Sequence, residues 1–351
     1  MLLQLRPGLL TAWRGPGRLQ VGLEARRAVV LDGLGAADEA VLAALDGTTD
    51  LSGLLAVGAR AGAPAERVRS LLGALRSAGA LVPARTARHR RTGPASDAPV
   101  LSLAHPDGDG WPVLAGRARA AVVVAGGSRT GLALAHLLAA AGVGTVVVED
   151  DAPVGAGDLA PDGYRPADVG RPRGACAAAS LTARSPGTTT APPAPASRWR
   201  PDVVALVGSG ALDPVRTEAL VREEVAHLPV LWRESTTVVG PLVRPGTSTC
   251  LRCVDLHRAD RDPAWPRLVS QLSTALPGGA ARPEETSLAA LTAALAGVQV
   301  LAQLDGVPAP AALDATLEAS LPEGVVALRP WTPHPACGCT WGELGGLGEP
   351  A

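Results

Sequence analysis

The chain has no lysine, no phenylalanine and a single tyrosine. Every strongly basic side chain is therefore arginine, and a step that needs a lysine ammonium has no residue to perform it. Aromatic residues make up 2% of the chain, and Trp111, Trp199, Trp232, Trp265 and Trp331 are spread along it. They read as core or interface anchors rather than a base-stacking platform. The N-terminus lacks a basic run followed by an apolar core, so no export signal is expected. No long uninterrupted apolar stretch is evident, which predicts a soluble chain with no membrane span. A net charge of −1 argues against a protein-wide surface for polyanions. Reduced thiols and the missing export signal predict a cytoplasmic location.

What the chain does have is apolar material. Hydrophobic residues reach 47% of 351 residues, ample for a core, and the length predicts about two domains. Abundant Ala, Gly and Pro read as GC-rich coding. Four of the five cysteines fall in two close pairs, Cys250-Leu-Arg-Cys253 and Cys337-Gly-Cys339. Two such turns far apart in sequence are the ligand pattern of a tetrahedral zinc site with four cysteine ligands. Cysteines this close rarely bridge each other, so zinc is favoured over disulfides. Cys176 has no near partner and reads as a small apolar residue.

Residues 1–83 read as one small unit. Leu19, Val21 and Leu23 alternate, and Ala28-Val29-Val30-Leu31 follows a polar turn, which predicts a β-hairpin. A helix fits Ala36 to Leu45, stopped by Asp46-Gly47, and Asp50 is placed to cap a second. Pro64 suits a first helical position, with Val68, Leu71, Leu72 and Leu75 at i, i+3, i+4 and i+7 after it. Gly79 ends that helix before Leu81-Val82. Hairpin, three helices and a closing strand describe a winged-helix-like domain. Residues 84–99, rich in Arg, Pro and Ser, read as a linker, and residues 100–345 as a second domain. Within it, Thr188 to Ser197 and Pro277 to Pro283 read as irregular loops, and a helix is expected from about Glu284 to Leu304.

Ala121-Val122-Val123-Val124 predicts a buried strand, followed by Gly126-Gly127-Ser128-Arg129-Thr130-Gly131, a helix from Leu132, and a second strand over Val146-Val147-Val148. Glu149-Asp150 closes it. This is the first half of a dinucleotide-binding unit: glycines admit a phosphate to the backbone, the helix N-terminus attracts it, and the acid holds ribose hydroxyls. Ser128 stands where the middle glycine of GxGxxG belongs, and its Cβ, with Arg129 beside it, would crowd a triphosphate. No Ser-His-Asp or Cys-His constellation is evident, and no catalytic residue is assigned.

The stretch Gly131 to Val148, with Ala141-Gly142-Val143-Gly144 and Asp150 after it, resembles the ThiF/MoeB superfamily of ubiquitin-activating-type adenylyltransferases. Agreement continues at Val154, Asp158-Leu159, Val169-Gly170, Arg200-Pro201-Asp202-Val203-Val204 and His227-Leu228-Pro229-Val230-Leu231, and the cysteine pairs match those of the family's C-terminal part. The resemblance implies an α/β, Rossmann-like ThiF fold over most of residues 100–340. Within the superfamily, the winged-helix front end, Cys250 to Arg258 and His334-Pro335-Ala336-Cys337-Gly338-Cys339 look like an actinobacterial branch. That branch is related to leader-peptide-binding partners of cyclodehydratases in azole-forming (TOMM) pathways. The family activates a C-terminal carboxylate with ATP and magnesium, and its habit implies a homodimer.

Carried over position by position, the resemblance leaves little of that chemistry. The glycine pair of the loop falls on Ser128 and Arg129, and Asp150 is kept while a second aspartate falls on Ala152. An arginine falls on Pro161 (Arg165 lies nearby), the lysine becomes Arg173, and the metal-binding aspartate falls on Ser209. Each lost oxyanion-type contact removes roughly 3–4 kcal/mol of transition-state stabilisation. Gly126, Gly127, Gly131, Asp150 and Arg173 are thus expected to form a vestigial nucleotide site. ATP and magnesium are not expected as cofactors, whereas structural zinc is.

Three uses compete for the front domain. Similar modules resemble RiPP recognition elements, which take a leader peptide as an added strand; Val29, Val30, Leu31, Arg67, Arg69 and Arg76 would line that cleft. Residues 1–91 carry 13 Arg against 7 acids, though Arg85, Arg88, Arg90 and Arg91 belong to the linker. A docking module with a solvated basic face ranks second, and DNA binding through an Arg-bearing third helix ranks third. His257, Arg258, Asp255 and Asp260 read as a charged helix start, with a brace for the cysteine site or a contact surface as the functional alternative. His334 could replace a cysteine ligand but is not needed. The expected function is a non-adenylating scaffold that presents a peptide to a YcaO-type or other ATP-using enzyme. An active ThiF-type adenylyltransferase and a DNA-associated regulator are the alternatives.

Overall fold

A computed structural model describes residues 1–84, 96–105, 108–193, 199–273 and 282–340. The linker arginines Arg85, Arg88, Arg90 and Arg91, and most of the loop expected at Pro277 to Pro283, lie outside these residues. The chain divides into two compact units, Met1–Ala115 and Gly116–Ala351.

The first unit holds β1 (Leu2–Leu5), β2 (Thr11–Gly15), β3 (Arg18–Val21), β4 (Val29–Leu31), α1 (Ala36–Ala43), β5 (Asp46–Asp50), α2 (Leu51–Arg60), α3 (Ala65–Ser77), β6 (Leu81–Pro83) and α4 (Ala98–Ala104). The chain leaves it through α5 (Gly110–Arg117). The expected hairpin is β3 and β4, paired Leu19 with Leu31 and Val21 with Val29. Asp50 caps α2, its carboxylate accepting from the Gly53 N–H at 2.9 Å. On α3 the four periodic positions, Val68, Leu71, Leu72 and Leu75, are all buried. Asp46-Gly47 does more than stop a helix: it opens β5, which pairs with β1 in a second sheet of order β5-β1-β6. α4 belongs to this unit, since Arg27 donates to the Leu103 carbonyl and a Cβ on Gly8 would lie 2.9 Å from the Pro99 carbonyl oxygen. The unit boundary therefore falls beyond the Arg/Pro/Ser stretch.

The second unit is built on one sheet of seven strands. In chain order its elements are β7 (Ala121–Ala125), α6 (Arg129–Ala140), β8 (Thr145–Glu149), α7 (Arg173–Arg184), β9 (Val203–Ser209), α8 (Pro214–Arg222), β10 (His227–Arg233) and β11 (Thr236–Val239). They continue with α9 (Leu251–Ala259), α10 (Trp265–Leu272), α11 (Thr286–Leu304), β12 (Ala315–Ser320) and β13 (Val326–Pro330). The sheet order is β13-β12-β11-β10-β9-β7-β8. β10, β9, β7 and β8 run parallel, and β11 to β13 add an antiparallel meander.

The parallel strands are apolar throughout because both faces are covered. Val122 and Val124 join one core with α6, α7 and α11, while Val123 and Ala125 join another with Val147, Leu206 and Val225. Cys176 lies buried in the first core, where burial pushes its thiol up, as expected of a packing residue. One expectation needs correcting. α11 is 19 residues of mean hydropathy 1.6, long and apolar enough by length and composition to cross a membrane. Here it is a core helix: Ala293, Ala296 and Val300 are buried, and Gly297 lets Leu137 approach so closely that a Cβ would meet it at 2.5 Å.

Candidate functional site

β7 is flanked by β8 on one side and β9 on the other, so the chain reverses its winding direction there. Doubly wound sheets open a crevice at such a point, outside the C-terminal strand ends. The structure has a cleft of about 980 Å³ in that place, lined among others by Gly126, Ser128, Asp150, Arg173, Ser209 and Glu284. Gly126 takes φ +118°, and a Cβ on it would sit 2.2 Å from the Val207 carbonyl oxygen, so only glycine serves.

The turn brings Gly126, Gly127, Gly131, Asp150 and Arg173 to one place. What it does with them differs from a phosphate cradle. Ser128 is the N-cap of α6 and donates through Oγ to Glu284 Oε1 at 2.7 Å. The Thr130 N–H donates to Glu284 Oε2 at 2.9 Å. A carboxylate from the foot of α11 thus sits where the helix N-terminus favours an anion. Burial pushes Glu284 above the usual glutamate range, against the hydrogen bonds from Ser128 and Thr130.

The arginines are committed to the protein as well. Arg129 donates to the carbonyls of Glu284, Gly157 and Leu159 and to Thr286 Oγ1. Arg173 donates to Asp158 Oδ2 at 3.0 and 2.7 Å and to Asp150 Oδ2 at 3.3 Å. Asp150, expected to face a ribose, also accepts from the Gly127 N–H at 2.7 Å. Tyr164 donates to the Gly127 carbonyl at 2.7 Å, and burial pushes its phenol up. Across the cleft, Arg282 donates to the Ser209 carbonyl and hydroxyl and to the Leu272 carbonyl.

Glu284 and Arg282 escaped the sequence reading. Their partners lie 154 to 156 and 73 residues away, and no local pattern announces either contact.

The cysteine pairs converge as predicted. Cys250 Sγ lies 3.9 Å from Cys253 Sγ and 3.4 Å from Cys337 Sγ, and Cys253 Sγ lies 3.3 Å from Cys339 Sγ. All four sulfurs fall within 4.8 Å of one another. Zn–S bonds of about 2.3 Å at tetrahedral angles place sulfurs roughly 3.8 Å apart, so the cluster is consistent with a zinc site. Packed without a cation, the thiols divide: the hydrogen bond to Cys250 pulls Cys253 well below the usual thiol range, whereas Cys250 and Cys337 resist ionisation. Cys250 is pushed up by its bond to Cys253 and by burial, and Cys337 is pushed up to about 12, chiefly by burial. A dication reverses that balance. His334 braces the cluster from outside: its Nε2 lies 3.0 Å from Asp260 Oδ2, and its Nδ1 accepts from the Ala336 N–H. His257 Nε2 lies 2.9 Å from the Thr332 carbonyl oxygen on the same segment.

In the first unit, Val29 and Val30 are half-buried on β4 and Leu31 is buried. Arg69 and Arg76 are exposed on α3. Arg67 is tied to Asp38 by two bonds of 2.9 Å and to the Gly33 carbonyl.

Residues 116–339 match the ThiF family. The chain belongs to that family. Its fold is also similar to solved structures of low identity. E. coli MccB with succinimide has a TM-score of 0.71 at 16% identity, covering 97% of this chain and 99% of that one. E. coli MccB with ATP gives 0.70 at 16%, with the same coverage. PaaA gives 0.65 at 14%, covering 92% of this chain and 98% of that one. No match emerges among curated protein sequences.

Proposed function

We propose that this ThiF-family chain binds a leader peptide or protein substrate and presents it to a separate ATP-using enzyme, without adenylating the client itself. The Glu284 carboxylate on the N-terminus of α6 carries this reading. A magnesium–triphosphate needs open N–H groups at such a helix start, cations over its phosphates and carboxylates for its metal. Thr130 already donates to Glu284, Arg173 is spent on Asp158 and Asp150, and Ser209 with Arg282 occupies the opposite wall. These residues do not fit the nucleotide.

The first unit suits the client. β4 ends the sheet of order β2-β3-β4 and has no strand on its outer edge among the described residues. An extended peptide adds to such an edge, in the manner of a winged-helix-like recognition element. Arg69 and Arg76 offer exposed charge to an acidic segment, whereas Arg67 holds α1 through Asp38. MccB, whose fold is similar, is seen in complex with N-formylated MccA, which supports a client of this general kind. Following the branch resemblance, the receiving enzyme is a YcaO-type cyclodehydratase partner. Cys250, Cys253, Cys337 and Cys339 would hold a structural zinc ion that fastens the C-terminal segment to α9.

Magnesium-ATP titrated into the full-length protein should give no saturable heat. Micromolar binding would overturn the reading in favour of a ThiF-type adenylyltransferase, which the preserved cleft at the switch point favours. A labelled precursor peptide from a neighbouring gene should bind, and Arg69→Glu with Arg76→Glu should weaken it.

A further inference from the structure

On the antiparallel side of the sheet, paired residues share a face, and Arg233, Thr236, Glu318, Thr316 and Arg329 line one such face through the β10–β13 register. Trp331 is buried beside them and donates to Thr316 Oγ1 at 3.1 Å. Three guanidinium groups stand over its ring: Arg329 at 4.6 Å from the centroid, Arg258 at 5.6 Å and Arg261 at 6.0 Å. Arg258 also covers Trp265 at 4.8 Å.

Among the described residues, Asp255 and Glu318 are the acids whose charges act on Arg258, and each also accepts from another side chain. Asp255 accepts from Trp265 Nε1 at 2.8 Å and reaches Arg258 only at 4.0 Å. Glu318 accepts from Thr316 Oγ1 at 3.0 Å. Arg233 and Arg329 make no ion pair among the described residues, and Arg233 Nη2 is shut from solvent without a hydrogen-bond partner. A charged donor in that condition costs free energy unless a guest satisfies it. Burial, the charge of Arg233 and, more weakly, that of Arg329, against the pull of Asp255 and Glu318, hold Arg258 at about 10, below the usual guanidinium range. Like charges kept this close favour an anion between them. Guanidinium planes stacked on indole faces keep their N–H edges available for carboxylate or phosphate oxygens.

We propose that Arg258 and Arg329, over Trp331, together with Arg233 on the same sheet face, form a binding site for an oxyanion, a carboxylate or a phosphate group. The site is separate from the Gly-rich turn and stands whether or not the scaffold reading does. The experiment titrates inorganic phosphate and succinate separately into the full-length protein by calorimetry, with tryptophan fluorescence in parallel. One of the two should bind saturably in the millimolar range or better, and the one that does names the source of the oxyanion. Arg329→Gln, on an edge strand where the fold tolerates it, should weaken binding roughly tenfold, and Arg233→Gln at least as much. Arg222→Gln on α8 should leave it unchanged. No binding of either probe, or binding indifferent to both Arg329→Gln and Arg233→Gln, overturns the site.

Discussion

At the C-terminal edge of β7 the chain fills its own binding geometry, whereas at the cysteine cluster it gathers four ligands suited to a guest. Around the Gly-rich turn the helix N-terminus meets Glu284, Arg173 meets Asp158 and Asp150, and Arg129 meets three carbonyls. At the cluster, four sulfurs crowd within 4.8 Å, with Cys250 and Cys337 pushed up and Cys253 pulled down. Both arrangements gather groups of the kind ligands use, yet side-chain chemistry separates them. A hydrogen-bonded carboxylate can imitate a phosphate, but nothing in the side-chain repertoire imitates a dication between thiolates.

The hardest way to break this contrast is to remove a cysteine of the cluster. Structural zinc contributes apparent binding free energies of about 10–16 kcal/mol near pH 7 in small zinc modules. Cys253→Ser should abolish stoichiometric zinc, read by elemental analysis, and lower the melting temperature by many degrees. Because the ligands must be deprotonated, zinc should also leave as the pH falls, never as it rises. Full metal retention in Cys253→Ser would put the cluster in the same class as the cleft.

The cleft side is tested by Arg173→Ala. In a working nucleotide site such a cation touches phosphate, and its loss is felt mainly in binding or turnover. Here Asp158 and Arg173 are 8% and 12% exposed, and removing one partner leaves a buried charge. The expected cost is about 3–5 kcal/mol of folding stability, read as a lowered urea midpoint. An unchanged midpoint would mean that Arg173 is held for a ligand and not for the fold.

What the residues disclosed in advance divides along similar lines. The strand, turn and helix of 121–148, the Asp50 cap and the α3 stripe are written within a few residues each, so period and capping chemistry reveal them. The cysteine pairs were legible because zinc coordination demands short spacings. β1 was not, since Leu2–Leu5 becomes a central strand only by pairing with β5 and β6, more than forty residues away. Asp46-Gly47 looked like a helix stop because its pairing partner is equally remote. α11 carries no charged residue and read as an ordinary helix; only its packing against α6 shows why it is so apolar. Glu284 was invisible for the same reason: an acid before a helix is commonplace until another helix start is brought to meet it.

The subtlest test concerns Glu284 itself. Burial lifts its carboxyl above the ordinary value of 4.5, so the native state binds its proton more readily than the unfolded chain does. Stability contributed by this group is therefore present in full below 4.5 and is lost as the pH rises through the native value. Glu284→Gln keeps the shape, removes the titration and should flatten that part of the profile, measured as the urea midpoint from about pH 4 to 7. Glu284→Ala should go further and expose the N-terminus of α6, where inorganic phosphate gains a foothold of about 0.3–1 kcal/mol at low salt. If, with the arginine site disabled by Arg329→Gln and Arg233→Gln in both proteins, phosphate binds Glu284→Ala no better than the protein that keeps Glu284, the carboxylate is not the occupant of that helix start, and the cleft resembles the cysteine cluster after all.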